Sequence, residues 1–322
     1  MTAQNLRGAG LFRPRRSPAR PRRARGGPVG ALRGTSTHPS DPPVRPPPEP
    51  RIRVPGRAHP RQPRRMLFRD PPSAGVSGPG ALAIGQPAHA WISGQLLRAW
   101  AERLDEPLLL AAERHDIAWL DWETAPSFDP TTGRPHSFRA VGAAVHAPMW
   151  ARGVERALGA WGTRVALLVS RHGGLIYTRY TDRRHLPEAD AAAVDRYLEA
   201  QAPLQAAWAR ALGLDAAALA HDTALVALSD TLSLALCGDL RTPVEVEAPD
   251  RAGGRRRLRL AARPGDGAGF TLSPWPFRGE ALAVECEARP LPEAGRCADE
   301  AAMHAWLAAP ERVAFRARLT PG

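Results

Sequence analysis

The sequence predicts a mainly α fold: a helical core over residues 66–240, then a C-terminal antiparallel β-rich appendage over 241–322 packed on the same body, α+β overall. Three observations predict it. Apolar residues recur at helical spacing between residues 86 and 240, the pattern turns to alternation after 240, and residues 1–65 carry neither pattern.

Residues 1–65 hold 16 arginines against two acids, Asp41 and Glu49, with 14 of the chain's 34 prolines. Runs such as RPRRSPARPRRARGG cannot bury enough apolar surface to offset chain entropy, so this segment is expected to be disordered. A secretory or twin-arginine signal needs an apolar core after its basic part, which is missing, and the prolines forbid an amphipathic transit helix. Arginine clusters neutralise phosphates, so a nucleic-acid-binding arm is the alternative. Against it, the chain has no lysine, and its Arg/Pro/Ala/Gly bias is what GC-rich coding sequence produces. Met66 then reads as the start and residues 1–65 as an artefact of start-site choice, and nucleic acid is not the expected partner. Without that segment 28 arginines face 30 acids, so the formal charge of +12 says nothing about the folded part.

From Met66 about 257 residues remain, enough for one large domain. No apolar run is long enough to span a membrane. Cys237, Cys286 and Cys297 are odd in number and without CxxC spacing, which argues against a disulfide framework or zinc ribbon and fits a reducing cytoplasm.

The helices follow in order. QPAHAWISGQLLRAWAERL has Pro87 where a first turn tolerates it and Ile92, Leu96, Trp100 and Leu104 at helix spacing. In LLLAAERHDIAWLDWE a helix starting at Pro107 places Leu108, Ala112, His115, Trp119 and Trp122 on one face, with Asp116 about 100° further round. Val165, Leu168, Val169 and His172 form another stripe before a stop at Gly173-Gly174. In ALAHDTALVALSDTLSLALC the stripe Leu219, Thr223, Val226, Asp230, Ser233, Cys237 carries an aspartate into an apolar face. Four helices thus aim ionisable groups inward.

Buried charge is costly unless paired or bound to metal. His89, His115, Asp116 and Asp230 supply two imidazoles and two carboxylates, a complete set for a divalent ion such as Mn, Fe or Zn. The order His, His-Asp, Asp on successive helices resembles the HD superfamily of metal-dependent phosphohydrolases, and the 26-residue gap from His89 to His115 is ordinary there. The resemblance implies an HD-like helical core, places the metal on those four residues, and matches His172 to the histidine some members use for a second metal.

Other readings compete. His221-Asp222 is a second His-Asp pair, but His221 falls about 180° from Asp230 on one helix and reads as a solvated face. VALLVSRHGG looks like the strand-Arg-His-Gly opening of histidine phosphatases, whose motif begins the catalytic domain, whereas here about 100 residues of helical pattern precede it. Ser170 beside His172 lacks an assignable acidic partner for a serine hydrolase.

Over its length from Met66 the chain is similar to the bacterial domain-of-unknown-function 3891 family, in IGQPAHAWISGQLLRAW, LLLAAERHDIAWLDWETAPSFDPTTGRPHSF, MWARGVERAL, ALLVSRHGGLIY, YLEAQAPLQ and SDTLSLALC. That resemblance brings no activity. Within DPTTGRPHSF, Asp129-Pro130 and Gly133 signal a turn, and Arg134 beside it could clamp a phosphate bidentately or serve structurally. Trp91, Trp119, Trp122 and Trp150 could stack a base, but on helix faces they are more often core.

After residue 240, PVEVE, RRRLRLAA, ALAVECEAR and VAFRARL alternate as half-buried strands, with ADEAAMHAWLAA a helix between the last two, and an antiparallel sheet covered by that helix is the simplest arrangement. The function expected is hydrolysis of a phosphate ester on a small phosphorylated molecule or nucleotide, with His172 and Arg134 as catalytic groups. A non-catalytic nucleotide- or protein-binding module on the same scaffold is the alternative. Metal content discriminates them.

Overall fold

Strands whose apolar side chains fall on one side and charged ones on the other form a floor on which the helices rest. The computed structural model describes residues 66–69, 80–136, 141–238, 240–250, 253–292 and 295–322, and the disorder expected for residues 1–65 lies outside them. A seven-stranded sheet is built from β1 (Leu67–Arg69), β2 (Leu82–Ile84), β5 (Val244–Pro249), β6 (Arg255–Ala262), β7 (Gly269–Ser273), β8 (Leu282–Pro290) and β9 (Val313–Pro321). Its order is β1-β2-β8-β9-β7-β6-β5, antiparallel except where β7 runs parallel to β9. Val284, Cys286 and Ala288 of β8 and Phe315, Ala317 and Leu319 of β9 point inward, while Glu285 and Arg316 pair across the exposed face. The two-residue strands β3 (Phe128–Asp129) and β4 (Arg134–Pro135) form a separate hairpin, turned by Gly133 at φ +65°.

The helices are α1 (Gln86–Arg98), α2 (Glu106–Arg114), α3 (Leu120–Thr124), α4 (Ala143–Trp161), α5 (Thr163–Leu175), α6 (Glu188–Ala211), α7 (Ala216–Cys237) and α8 (Glu300–Ala308). Helices α1 and α7 lie against the sheet, α1 on β8 and α7 on β5, and they pack on each other. Ile92, Leu96, Leu225, Val226 and Leu232 therefore share one core with Leu258, Leu260, Phe270, Leu272, Val284 and Leu319. Arg69 ties the two layers: its guanidinium lies over the Phe270 and Phe315 rings and donates to the carbonyls of Leu236, Gly238 and Gly267, which satisfies the C-terminal end of α7.

This corrects the expected mainly α, HD-like helical core with a β-rich appendage. The sheet takes strands from both ends of the described chain, and its buried face is half of the main core. The reason for the misreading is length. LFR and LAI are three-residue strands, and LAI is buried on every residue, so neither shows alternation. The covering helices are α1 and α7, whereas α8 packs on a small cluster of Cys297, Met303 and Leu307 with Phe128.

Two helical expectations also change. Helix α2 ends at Arg114, and a 3-10 turn over Ile117–Trp119 leads into α3, so 107–122 is not one helix. Gly173-Gly174 do not stop α5, which continues to Leu175 and into a π-helical turn over Ile176–Tyr180. Gly173 is there for closeness: a Cβ on it would lie 2.4 Å from both Trp150 Cε3 and Tyr197 Oη.

Candidate metal centre

Four elements aim one cluster at one point. His89 comes from the first turns of α1, His115 and Asp116 from the end of α2, His172 from α5 and Asp230 from α7. All are buried except Asp230, whose side chain keeps 14 % exposure and is where the cluster meets solvent. Asp116 reaches the cluster because the helix breaks there. At φ −102° and ψ 18° it leaves the α region directly after His115, and both neighbours then face inward. Within His89, His115 and Asp230, and again within His115, Asp116 and His172, one ligand atom of each residue lies within 4.8 Å of the others.

The hydrogen bonds fix which imidazole nitrogens face inward. His115 Nδ1 donates to the Ala112 carbonyl at 2.8 Å, so Nε2 is the nitrogen left to face the carboxylates, through a proton or, when that proton is displaced, through a metal ion. That nitrogen lies 3.3 Å from Asp230 Oδ1 and 3.7 Å from Asp116 Oδ2. The Ser233 hydroxyl donates its one proton to the Asp230 carbonyl at 2.8 Å and accepts from Ser93 Oγ at 2.9 Å. It accepts also from His89 Nδ1 at 2.9 Å, which leaves the His89 Nε2 lone pair 2.8 Å from Asp116 Oδ2 and 3.1 Å from Gln86 Oε1. Lone pairs pointed at carboxylate oxygens repel unless a positive charge, a proton or a metal ion, lies between. His172 adds two buried nitrogens with no hydrogen-bond partner among the described residues, Nε2 being 3.6 Å from Asp230 Oδ2. An unsatisfied buried group costs on the order of 1–3 kcal/mol, which coordination would remove.

Electrostatics agree with the geometry. Burial opposes a charge on His115, but Asp116 and Asp230 outweigh it and push the imidazole up to about 9. Burial holds His172 down at about 4, with His115 adding to the effect. Asp230, although burial would raise it, is kept well below the usual carboxylate range, chiefly by its hydrogen bond with His115. The His and Asp groups of this cluster are able to hold a divalent metal ion.

The other sequence candidates sit elsewhere. Arg134 Nε donates to the Gly295 carbonyl at 2.5 Å and its guanidinium lies over the Phe68 ring, so its contacts among the described residues are not with the cluster. His221-Asp222 is half-buried rather than solvated, and Asp222 Oδ2 takes a 2.7 Å bond from Arg164. Ser170, Arg171 and His172 lie on helix α5, not at a strand end, so the histidine-phosphatase arrangement is absent from this segment. Ser170 Oγ bonds Gln201 and Gln205, neither of which is a base. Trp119 and Trp150 are core, packed with Tyr177 and Tyr197, Trp122 is half-buried beside them, and Trp91 is exposed.

Sequence reasoning passed over Ser93, Ser233, Gln86 and Glu123. A signal existed for the serines: each interrupts an apolar helix stripe four or three residues after a candidate ligand, His89 or Asp230. All three cysteines are buried and free. No single described helix is long and apolar enough to cross a membrane.

A family model described as "Protein of unknown function (DUF3891)" matches residues 76–293. No curated protein and no solved structure matches the chain.

Proposed function

Since this chain belongs to the DUF3891 family of proteins of unknown function, its activity has to come from the site, and we propose that it is a metal-dependent hydrolase of phosphate esters. The observation that carries the reading is the pair His89 and His115: each has its outer nitrogen held by an acceptor, Ser233 or the Ala112 carbonyl, and turns its inner nitrogen to carboxylate oxygens. Outer-shell acceptors that fix ligand tautomers are the mark of metal sites. The order His, His-Asp, Asp along the chain, shared with HD-superfamily phosphohydrolases, supports the substrate class; the likeness is in ligand order, not in fold.

In this reading His89, His115, Asp116 and Asp230 hold one ion, of Mn, Fe or Zn. Such an ion supplies Lewis acidity and lowers the pKa of water from about 15.7 toward roughly 7. His172, neutral and with no hydrogen-bond partner on either nitrogen among the described residues, holds a second ion or donates to an oxygen of the transferring phosphoryl group. Asp230, at the open edge, orients what enters. Arg134 is left out of this reading, since its contacts among the described residues are with Gly295 and Phe68.

The test is elemental analysis of the purified protein, followed by phosphomonoesters, cyclic dinucleotides and nucleotides offered with Mn, Fe, Ni and Zn separately. Stoichiometric metal with turnover of one ester class is expected. Metal without turnover would leave a binding module, and no metal would end the reading.

A further inference from the structure

Glu123 is a carboxyl beside the cluster that the ligand set does not use. We propose that it is the proton donor to the leaving group in the phosphate-ester hydrolysis proposed above, an inference that rests on that reading.

Helix α1 begins at Gly85, which has no side chain to cap it. Glu123, reaching over from α3, takes that place: its Oε1 accepts from the Gln86 backbone N–H at 2.5 Å. A Cβ on residue 85 would stand 2.4 Å from Glu123 Oε2, so the carboxyl occupies the space that glycine leaves. Gln86 connects it to the ligands, since its own Oε1 is 3.1 Å from His89 Nε2. The carboxyl therefore sits at the N-terminal end of α1, with Gln86 between it and His89.

Its surroundings differ from those of every other acid nearby. Asp116 and Asp230 contact histidines, and Glu113 is ion-paired with Arg98 and Arg114. Glu123 has no ion pair among the described residues, and the residue as a whole is half-buried rather than sealed in the core. Burial pushes it up to about 8; the Gln86 N–H and Arg289 oppose the rise and the charge of Asp116 adds to it. A carboxyl in that range still holds its proton in neutral water, as a general acid must.

The step balances as follows. Water oxygen attacks phosphorus, the bond from phosphorus to the ester oxygen breaks with its electron pair on that oxygen, and the Glu123 proton moves there to release the alcohol. The attacking water, on the opposite side of phosphorus, gives its proton to solvent, and the Glu123 carboxylate takes one back from solvent before the next turnover.

Glu123→Gln tests this, because Gln keeps the acceptor for Gln86 N–H and nearly the same volume but has no acidic proton. Hydrolysis of an alkyl phosphate, whose leaving oxygen needs a proton, is expected to fall by about 10²–10⁴ in kcat/KM. Hydrolysis of p-nitrophenyl phosphate, whose leaving group is a weak base, is expected to fall far less, with bound metal retained. Infrared difference titration of the metal-loaded protein gives an activity-free readout: a protonated carboxyl band that titrates above the ordinary carboxylate range in the wild type and is missing in Glu123→Gln. Equal loss on both esters, or a band that titrates in the ordinary carboxylate range, overturns the assignment to Glu123. A wild type inert toward both esters overturns the hydrolase reading itself, whatever the band shows.

Discussion

His115 Nε2 faces Asp230 Oδ1 at 3.3 Å while Nδ1 donates to the Ala112 carbonyl. The end of helix α2 thus aims one imidazole nitrogen at a carboxylate carried by helix α7, with a proton or a metal ion between them. Such a pair is held together by what lies between its members, and the predictions follow from that.

Replacing His115 by Ala removes the one residue that both candidate ligand groups of the cluster share. Loss of stoichiometric metal is expected, whereas His221→Ala should keep it, since His221 belongs to the half-buried Asp222–Arg164 group. Elemental analysis of both variants decides; equal metal loss would overturn the assignment.

Ser233→Ala tests the support behind His89. The serine accepts from His89 Nδ1 while donating to the Asp230 carbonyl, so its loss frees the ring to turn or change tautomer. Removal of such an outer partner typically costs 10–100-fold in metal affinity. Competition with a chelator of known affinity measures it, and an unchanged dissociation constant would show that Ser233 is only packing.

His146 gives the fold a pH dependence separate from the cluster. Burial outweighs the pull of Asp190 and holds it down at about 4, and its Nδ1 is 2.5 Å from the Tyr177 hydroxyl. An unfolded histidine takes its proton near 6.5. Between those values the unfolded chain binds more protons, so stability is present above pH 6.5 and is lost as pH falls toward 4. The contribution is on the order of 1–3 kcal/mol. With metal bound, so that His172 is engaged, melting temperature should fall over this window in the wild type and fall less in His146→Gln. Parallel curves would refute the assignment.

How much of this was legible depended on length and repetition. Helix α7 was readable because 22 residues repeat its stripe, and Asp230 stood out as a polar member of it. The strands RRRLRLAA and ALAVECEAR declared themselves by alternation. What stayed hidden was non-local. A three-residue strand such as LFR has no period, and its place beside β2 is set by pairing across the chain. The break after His115 was hidden too, since the helical pattern continues through Trp119 and Trp122 although the backbone does not. Glu123 was passed over, because only the folded chain puts it against Gly85 and Gln86.

Gly173 illustrates the same point and supplies the last prediction. The sequence suggests a helix stop, yet the glycine lies inside α5 directly after His172. A Cβ there would stand 2.4 Å from Trp150 Cε3 and from Tyr197 Oη, both held in a buried aromatic cluster with Tyr177 and therefore unable to yield freely. Overpacking of this kind costs about 1–3 kcal/mol. Relief can come only from the aromatic residues shifting or from α5 moving away, and the second route withdraws His172 from Asp230. Gly173→Ala should therefore lower the melting temperature and also weaken metal retention, while Gly174→Ala, whose Cβ would meet no atom closer than 3.8 Å, should do neither. Thermal melts with and without chelator separate the routes: a destabilised Gly173→Ala that keeps its metal shows the aromatic cluster yielding, and an unchanged melting temperature would mean that the close approach at Gly173 is not there.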